Sequence, residues 1–176
     1  QIWYTQQVDH NNEWGVVAFT GRSATAADQL REQDGLYTLI ERGVDGDKFE
    51  VIDRIVRAED GMNVTEFTNT LAKPEISIVT LTITEAGYGF TKDGKLDLEN
   101  PAPAINRLAF ALDMRRRLSG APIALVSCDN IPNNGELLEA AVRNVFATFD
   151  AEATDWLEKC VSFVSTSIDR ITPQTT

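Results

Sequence analysis

Residues 76–84 read Ile-Ser-Ile-Val-Thr-Leu-Thr-Ile-Thr, with a β-branched side chain at every position except Ser77 and Leu81. Such residues fit a pleated surface and crowd a helix, so the run predicts a strand over 76–84. Two further apolar runs flank it at a distance, Trp14–Thr20 (WGVVAFT) and Ile123–Ser127 (IALVS). Each is short, nearly continuous and bounded by polar or glycine residues, the mark of a strand covered on both faces as in a parallel sheet. A fourth run, Val161–Val164, reads the same way.

The segments between these runs have helical spacing. Ala24–Glu32 is rich in helix formers and is followed by the turn pair Asp34-Gly35. Asn63 with Glu66 three positions on resembles a capping box ahead of Val64, Phe67 and Leu71, and Pro74 closes that helix. Pro101 and Pro103 open a helix in which Ile105, Leu108, Ala109 and Leu112 share one face; Arg115–Arg117 finish it and Gly120 caps it. Asn133 and Glu136 repeat the capping-box spacing before Leu138, Ala141, Val142, Val145, Phe146 and Phe149, and a shorter helix surrounds Trp156. Ile2, Trp3, Tyr4 and Val8 have the spacing of a helix at the start of the chain. Leu36–Arg42 and Phe49–Val56, separated by Gly43–Asp47, predict an antiparallel pair, and Glu85–Asn100 reads as a loop. Strands alternating with helices predict an α/β domain with a mostly parallel sheet and a small antiparallel insertion.

Composition narrows the function classes. The 176 residues carry 16 basic and 27 acidic side chains, a net charge of −11 that repels a phosphate backbone, so nucleic acid is not an expected partner. No apolar run approaches the roughly 18 residues of a membrane span, so no membrane partner is expected. Cys128 and Cys160 read as reduced residues of a cytoplasmic protein, and with one histidine, His10, no metal site is expected. The chain starts at Gln1 rather than methionine, which reads as a fragment boundary.

Open parallel sheets bind ligands at the carboxyl ends of their strands. Three polar clusters fall there: Thr82, Thr84 and Glu85; Ser127, Cys128, Asp129 and Asn130; and Ser165–Ser167 with Asp169 and Arg170. Each has a plainer reading beside the functional one. Thr82 and Thr84 suit a strand, Asp129-Asn130 suits a turn that bonds its own backbone, and Asp169-Arg170 suits a surface ion pair. Arg115–Arg117 suits a solvated helix end favoured by the helix dipole. Cys128 suits a small buried residue.

Four segments also resemble the ordered signature blocks of the polyol-specific long-chain dehydrogenases, which include mannitol 2-dehydrogenase and the uronate reductases. They are Asp34–Glu41 (DGLYTLIE), Val79–Tyr88 (VTLTITEAGY), Ser127–Gly135 (SCDNIPNNG) and Ile168–Pro173 (IDRITP). The resemblance implies a Rossmann-like, doubly wound domain over 1–176 that lacks the first strand and the glycine-rich phosphate loop. It places a helical C-terminal domain, with the general-base lysine, outside this sequence. It implies hydride transfer between NAD(P) and a polyol or ketose, with Asn130 polarising the reacting oxygen, Asp169 meeting substrate hydroxyls, and Thr82, Thr84 and Glu85 along the cofactor. Where the family has Pro-Asn near Phe163, this chain has Val164-Ser165.

Thr20 and Arg22 mark the end of the strand where an acidic residue would bond the 2′-hydroxyl of NAD. Arg22 suits the 2′-phosphate of NADP, stacking on adenine, or open water; the family resemblance favours NAD, with NADP as the alternative. Three functional readings follow: a mannitol-type dehydrogenase, a uronate reductase, and a non-catalytic α/β module that binds a ligand.

Overall fold

The computed structural model describes residues 13–167 and divides into two compact units, residues 1–67 and 68–176. The expected N-terminal helix, His10, Asp169 and Arg170 lie outside the described residues.

In the first unit, β1 (Val16–Phe19) leads to α1 (Thr25–Glu32), the hairpin β2 (Tyr37–Gly43) and β3 (Gly46–Ile52), and β4 (Ile55–Glu59). β1 and β4 pair in parallel, with Val17 opposite Arg57 and Phe19 opposite Glu59. Ala27, Ile55 and Ala58 form the core between helix and sheet, and Val16, Ala18, Leu30 and Tyr37 pack around them. Asp34 and Gly35 both have positive φ, and the sharp turn they make brings the chain out of α1. A Cβ at Gly35 would lie 1.9 Å from the Ile55 carbonyl oxygen, so only glycine fits. The residues of β1 are half-buried, not covered on both faces.

The hairpin corrects the expected boundaries. β2 and β3 pair antiparallel from Tyr37–Ile52 to Gly43–Gly46, but the second strand ends at Ile52 and not at Val56. Asp53 and Arg54 break the chain, and Ile55–Glu59 is a separate strand in the parallel pair. The apolar residues of 49–56 therefore serve two surfaces. Phe49 and Val51 are 69% and 64% exposed on the hairpin, while Ile55 and Ala58 are buried under α1.

α2 (Val64–Leu71) begins as its cap residue predicts, with Asn63 Oδ1 accepting the Glu66 N–H at 3.1 Å. The Glu66 carboxylate meets Arg57 at 2.8 Å, and the Asn63 N–H goes to the Asp60 carbonyl.

The second unit contains β5 (Ile78–Leu81), the single turn α3 (Glu85–Tyr88), α4 (Pro103–Leu118), β6 (Ile123–Ser127), α5 (Asn134–Phe146), α6 (Ala151–Cys160) and β7 (Val161–Val164). Its three strands are parallel in the order β5-β6-β7, with Leu81 opposite Ser127 and Val126 opposite Val164. α5 packs on β6 and β7, and α4 packs on α5. Leu125, Leu108, Leu112, Leu138, Val142 and Leu157 are fully buried between these layers. α6 is capped by Asp150, whose carboxylate accepts the Ala153 N–H at 2.8 Å. Parallel pairing with helical crossovers is the expected Rossmann-like arrangement. No helix among the described residues is long and apolar enough to cross a membrane.

Four expectations for this unit change. The strand expected over 76–84 is confined to Ile78–Leu81, and a helical turn interrupts the segment expected to be a loop. The three arginines are not a uniformly solvated helix end. Arg115 is 0% exposed and donates to the carbonyls of Leu71, Lys73, Ala121 and Pro122 at 2.7–2.9 Å. Arg116 and Arg117 both hold Asp113, at 2.8 and 2.7 Å, and Arg116 also reaches Asp150 at 3.0 Å. Finally, Asn133 does not cap α5 with its side chain: it sits at φ 52°, and the neighbouring Asn134 makes the polar contacts.

Candidate functional site

The carboxyl ends of β5, β6 and β7 lie side by side because the three strands are parallel and adjacent in the sheet. The polar residues that follow them are joined through one buried carboxylate. Asp129, 3% exposed, accepts the Thr84 N–H on Oδ1 at 2.8 Å. Its Oδ2 accepts the Tyr88 hydroxyl at 2.9 Å and the Ser127 hydroxyl at 3.2 Å. The loop after β5 is thereby tied to the loop after β6.

The β7 side is tied in a second way. Asn134 donates through Nδ2 to the carbonyls of Asp129 at 2.6 Å and Thr166 at 2.9 Å, and its Oδ1 accepts the Thr166 N–H at 3.0 Å. The Thr166 hydroxyl donates to the Ser127 carbonyl at 2.6 Å, and Ser165 Oγ accepts the Gly135 N–H at the start of α5. Gly135 permits this approach, since a Cβ there would lie 2.5 Å from the Ser165 nitrogen. The turn after β7 therefore satisfies the first turn of α5, a role that local sequence spacing gave to Asn133.

Two electrostatic features stand out. Burial pushes the Tyr88 hydroxyl well above the ordinary tyrosine range; Ser127 opposes the shift and Asp129 reinforces it. Tyr88 is thus held as a proton donor to Asp129. Thr84 has φ 68° and ψ 157°, a conformation that β-branched residues avoid, and its amide faces the Asp129 carboxylate.

Around this buried frame the expected ligand-facing residues are accessible: Thr82, Thr84, Glu85 and Asn130 are all exposed. Asn130 directly follows Asp129, so its backbone is set by the same hydrogen bonds. Cys128 is a half-buried free thiol whose sulfur donates to the Val126 carbonyl at 3.6 Å. In the other unit, Thr20 follows β1; its N–H is given to the Glu59 carbonyl at 3.0 Å and its hydroxyl accepts the Gly61 N–H at 3.2 Å. Arg22 is exposed. Asp169 lies outside the described residues.

Sequence reasoning placed Ser127 and Asp129 among the polar residues at strand ends, and Tyr88 at the end of a signature block, but did not identify the three as one buried cluster. It missed Asn134 as the clamp between β6 and β7. The signal available was the run Asn133-Asn134-Gly135, where two adjacent amides precede a glycine at a helix start.

The family profile described as the mannitol dehydrogenase Rossmann domain matches residues 1–176. The D-mannonate oxidoreductase of Escherichia coli K12 is 31% identical over 94% of the chain, which covers 38% of that protein. The polyol:NADP oxidoreductase of Gluconobacter oxydans is 30% identical over 98% of the chain, covering 40% of that protein. Among solved structures, the Pseudomonas fluorescens mannitol 2-dehydrogenase in ternary complex with NAD and D-mannitol superposes with a TM-score of 0.82 at 31% identity, over 99% of this chain and 39% of that one. The chain spans about two fifths of the length of the proteins it matches.

Proposed function

The chain belongs to the mannitol dehydrogenase family, and from that premise we propose that it forms the nicotinamide-binding part of an oxidoreductase that moves a hydride between NAD and a polyol/ketose pair. The observation that carries this reading is the group of accessible polar residues, Thr82, Thr84, Glu85 and Asn130, presented at the carboxyl ends of adjacent parallel strands. That is where open α/β sheets bind nucleotides. Threonine hydroxyls and a carboxylate suit the hydroxyls of a ribose, so the donor set fits a dinucleotide. When bound, the nicotinamide accepts or supplies the hydride.

The remaining steps fall to residues. Asn130 offers an amide N–H to the substrate oxygen, where negative charge grows as the carbonyl is reduced or the alcohol loses its proton. Asp169 meets substrate hydroxyls in this reading. The group that takes the hydroxyl proton belongs to a further domain of the polypeptide. Thr20 and Arg22 serve the adenosine end. The Gluconobacter relative named for NADP and the exposed Arg22 keep NADP as the alternative cofactor.

A second reading within the family, reduction of a uronate such as fructuronate or tagaturonate, is favoured by the similarity to D-mannonate oxidoreductase. The test is to mix the purified full polypeptide with NADH or NADPH and with fructose, fructuronate or tagaturonate, and to follow the loss of reduced-cofactor absorbance. Turnover of fructose supports the first reading and turnover of a uronate alone supports the second. Absence of turnover with every pair overturns both and leaves a ligand-binding module.

A further inference from the structure

The geometry points to Asp129 as a positioning residue for the reaction proposed above: its carboxylate fixes the loop after β5 against Asn130. The inference rests on the reading of Asn130 as the group that binds the reacting oxygen. It adds a residue that does not itself meet substrate or cofactor.

Three observations carry it. First, Asp129 is nearly inaccessible, and its hydrogen-bond donors are one amide and two hydroxyls, all of them neutral. Placing a carboxylate there is costly unless its bonds are needed. Second, the amide it holds belongs to Thr84, whose backbone is in a region that a β-branched residue leaves when released. Without the acceptor, the loop carrying Thr82, Thr84 and Glu85 is free to relax. Third, the carbonyl of Asp129 accepts from Asn134 and from the Ile131 N–H, which fixes the peptide that leads directly into Asn130. One residue therefore sets two loops, the first carrying the proposed cofactor contacts and the second the proposed oxyanion contact.

The substitutions have different expected effects. In Asp129→Asn the side-chain oxygen still accepts from Thr84, and the new amide donates to Tyr88 and Ser127, whose oxygens can accept. The geometry is kept. In Asp129→Ala the carboxylate's bonds to Thr84, Tyr88 and Ser127 are lost, while the main-chain carbonyl still accepts from Asn134 and Ile131, so the loop after β5 is released against a held Asn130.

The test is a mutant cycle in the full polypeptide, measuring kcat with cofactor and substrate saturating and thermal unfolding of each variant. Asp129→Ala should lower kcat by about tenfold or more, and in an Asn130→Ala background the same change should lower it by less than about threefold, because the residue it positions is gone. Asp129→Asn should stay within about threefold of the parent. Equal losses in both backgrounds assign Asp129 a general structural role and overturn the proposal. So does an Asp129→Asn variant as slow as Asp129→Ala, which makes charge the operative property. Should Asp129→Ala fail to fold, Tyr88→Phe replaces it in the cycle, since it removes one donor to the same carboxylate and keeps the ring packed. A loss that disappears in the Asn130→Ala background supports the proposal, and no loss, or the same loss in both backgrounds, overturns it. The underlying reading fails separately, and takes the proposal with it, if the parent has no turnover or if Asn130→Ala alone leaves kcat unchanged.

Discussion

The main-chain amide of Thr84 donates to Asp129 Oδ1 at 2.8 Å across 45 positions of sequence, and it does so from a backbone conformation of φ 68° and ψ 157°. Strain of this kind amounts to about 1–3 kcal/mol, and glycine is free of it. The Thr84 side chain is exposed, so its removal sacrifices little packing. Against the gain stands the extra freedom of glycine in the unfolded chain, about 0.5–1 kcal/mol. Thr84→Gly should therefore raise unfolding stability by about 1 kcal/mol, measured by denaturant titration. A clear loss would show that the threonine side chain stabilises its own strained backbone.

Arg115 gives the largest expected loss. Burial lowers its pKa from the ordinary guanidinium value, with Glu75 opposing, yet it still serves four backbone carbonyls. Those carbonyls lie at the end of α2 and in the segment between α4 and β6, so one guanidinium ties the two together. Removing a buried charged donor and leaving its acceptors unsatisfied costs about 3 kcal/mol or more. Arg115→Ala should reach that level in equilibrium unfolding, whereas Arg117→Ala, at a half-exposed position, should cost less than about 1 kcal/mol.

The contrast between these arginines shows what was legible in the sequence. Ile105, Leu108 and Leu112 define a buried stripe whose next position is Arg115, so the periodicity that identified the helix also marked which arginine turns inward. Reading 115–117 as a charge run hid that. The parallel strands and the two long helices were legible because their apolar residues repeat at the spacing of the element. The strand at Ile55–Glu59 was not, because only two residues separate it from the hairpin and the β-type residues of 49–56 run across both. The resemblance indicated which loops matter, but two of the three partners of the Asp129 carboxylate come from 45 and 41 positions upstream, and no local pattern announces a bond of that range.

Gly135 tests the joint between β7 and α5. A Cβ at this position would lie 2.5 Å from the Ser165 nitrogen and 2.7 Å from the Val164 carbonyl carbon, and both are backbone atoms that cannot swing aside. Gly135→Ala should thus separate Ser165 from the start of α5 and weaken the Asn134 clamp, at a cost of about 1–3 kcal/mol. Chemical denaturation reads the loss. A stability equal to the parent would show that the turn at 165–167 moves without penalty.

Asp150 predicts a pH dependence. The Ala153 N–H above all lowers its carboxyl pKa; burial opposes slightly, and Arg116 and Arg117 add to the lowering. A carboxylate whose folded pKa lies below its unfolded value stabilises the fold fully above the unfolded pKa, about 3.9, and that contribution disappears as pH falls through the folded value. Asp150→Asn should therefore lower the melting temperature at neutral pH, and the gap to the parent should close progressively as pH drops below about 4. Melting curves collected across the acid range check this. A gap that stays constant with pH would mean that the side chain acts through shape and not through charge.

Asn130 is the decisive residue for the chemistry. It is exposed and directly follows a buried, fully hydrogen-bonded aspartate, so truncating its side chain leaves the frame of Thr84, Tyr88, Ser127 and Asn134 intact. If its amide stabilises charge on the reacting oxygen, that bond is strongest in the transition state and contributes little to holding the cofactor. Loss of such a donor costs about 2.7–4 kcal/mol in other enzymes, a fall in kcat of about 10²–10³. Asn130→Ala in the full polypeptide should show a fall of this size, with the NADH dissociation constant from fluorescence titration changed by less than about threefold. A variant that binds NADH poorly but turns over at the parent rate would move Asn130 to the cofactor contacts, and unchanged values of both would remove it from the site.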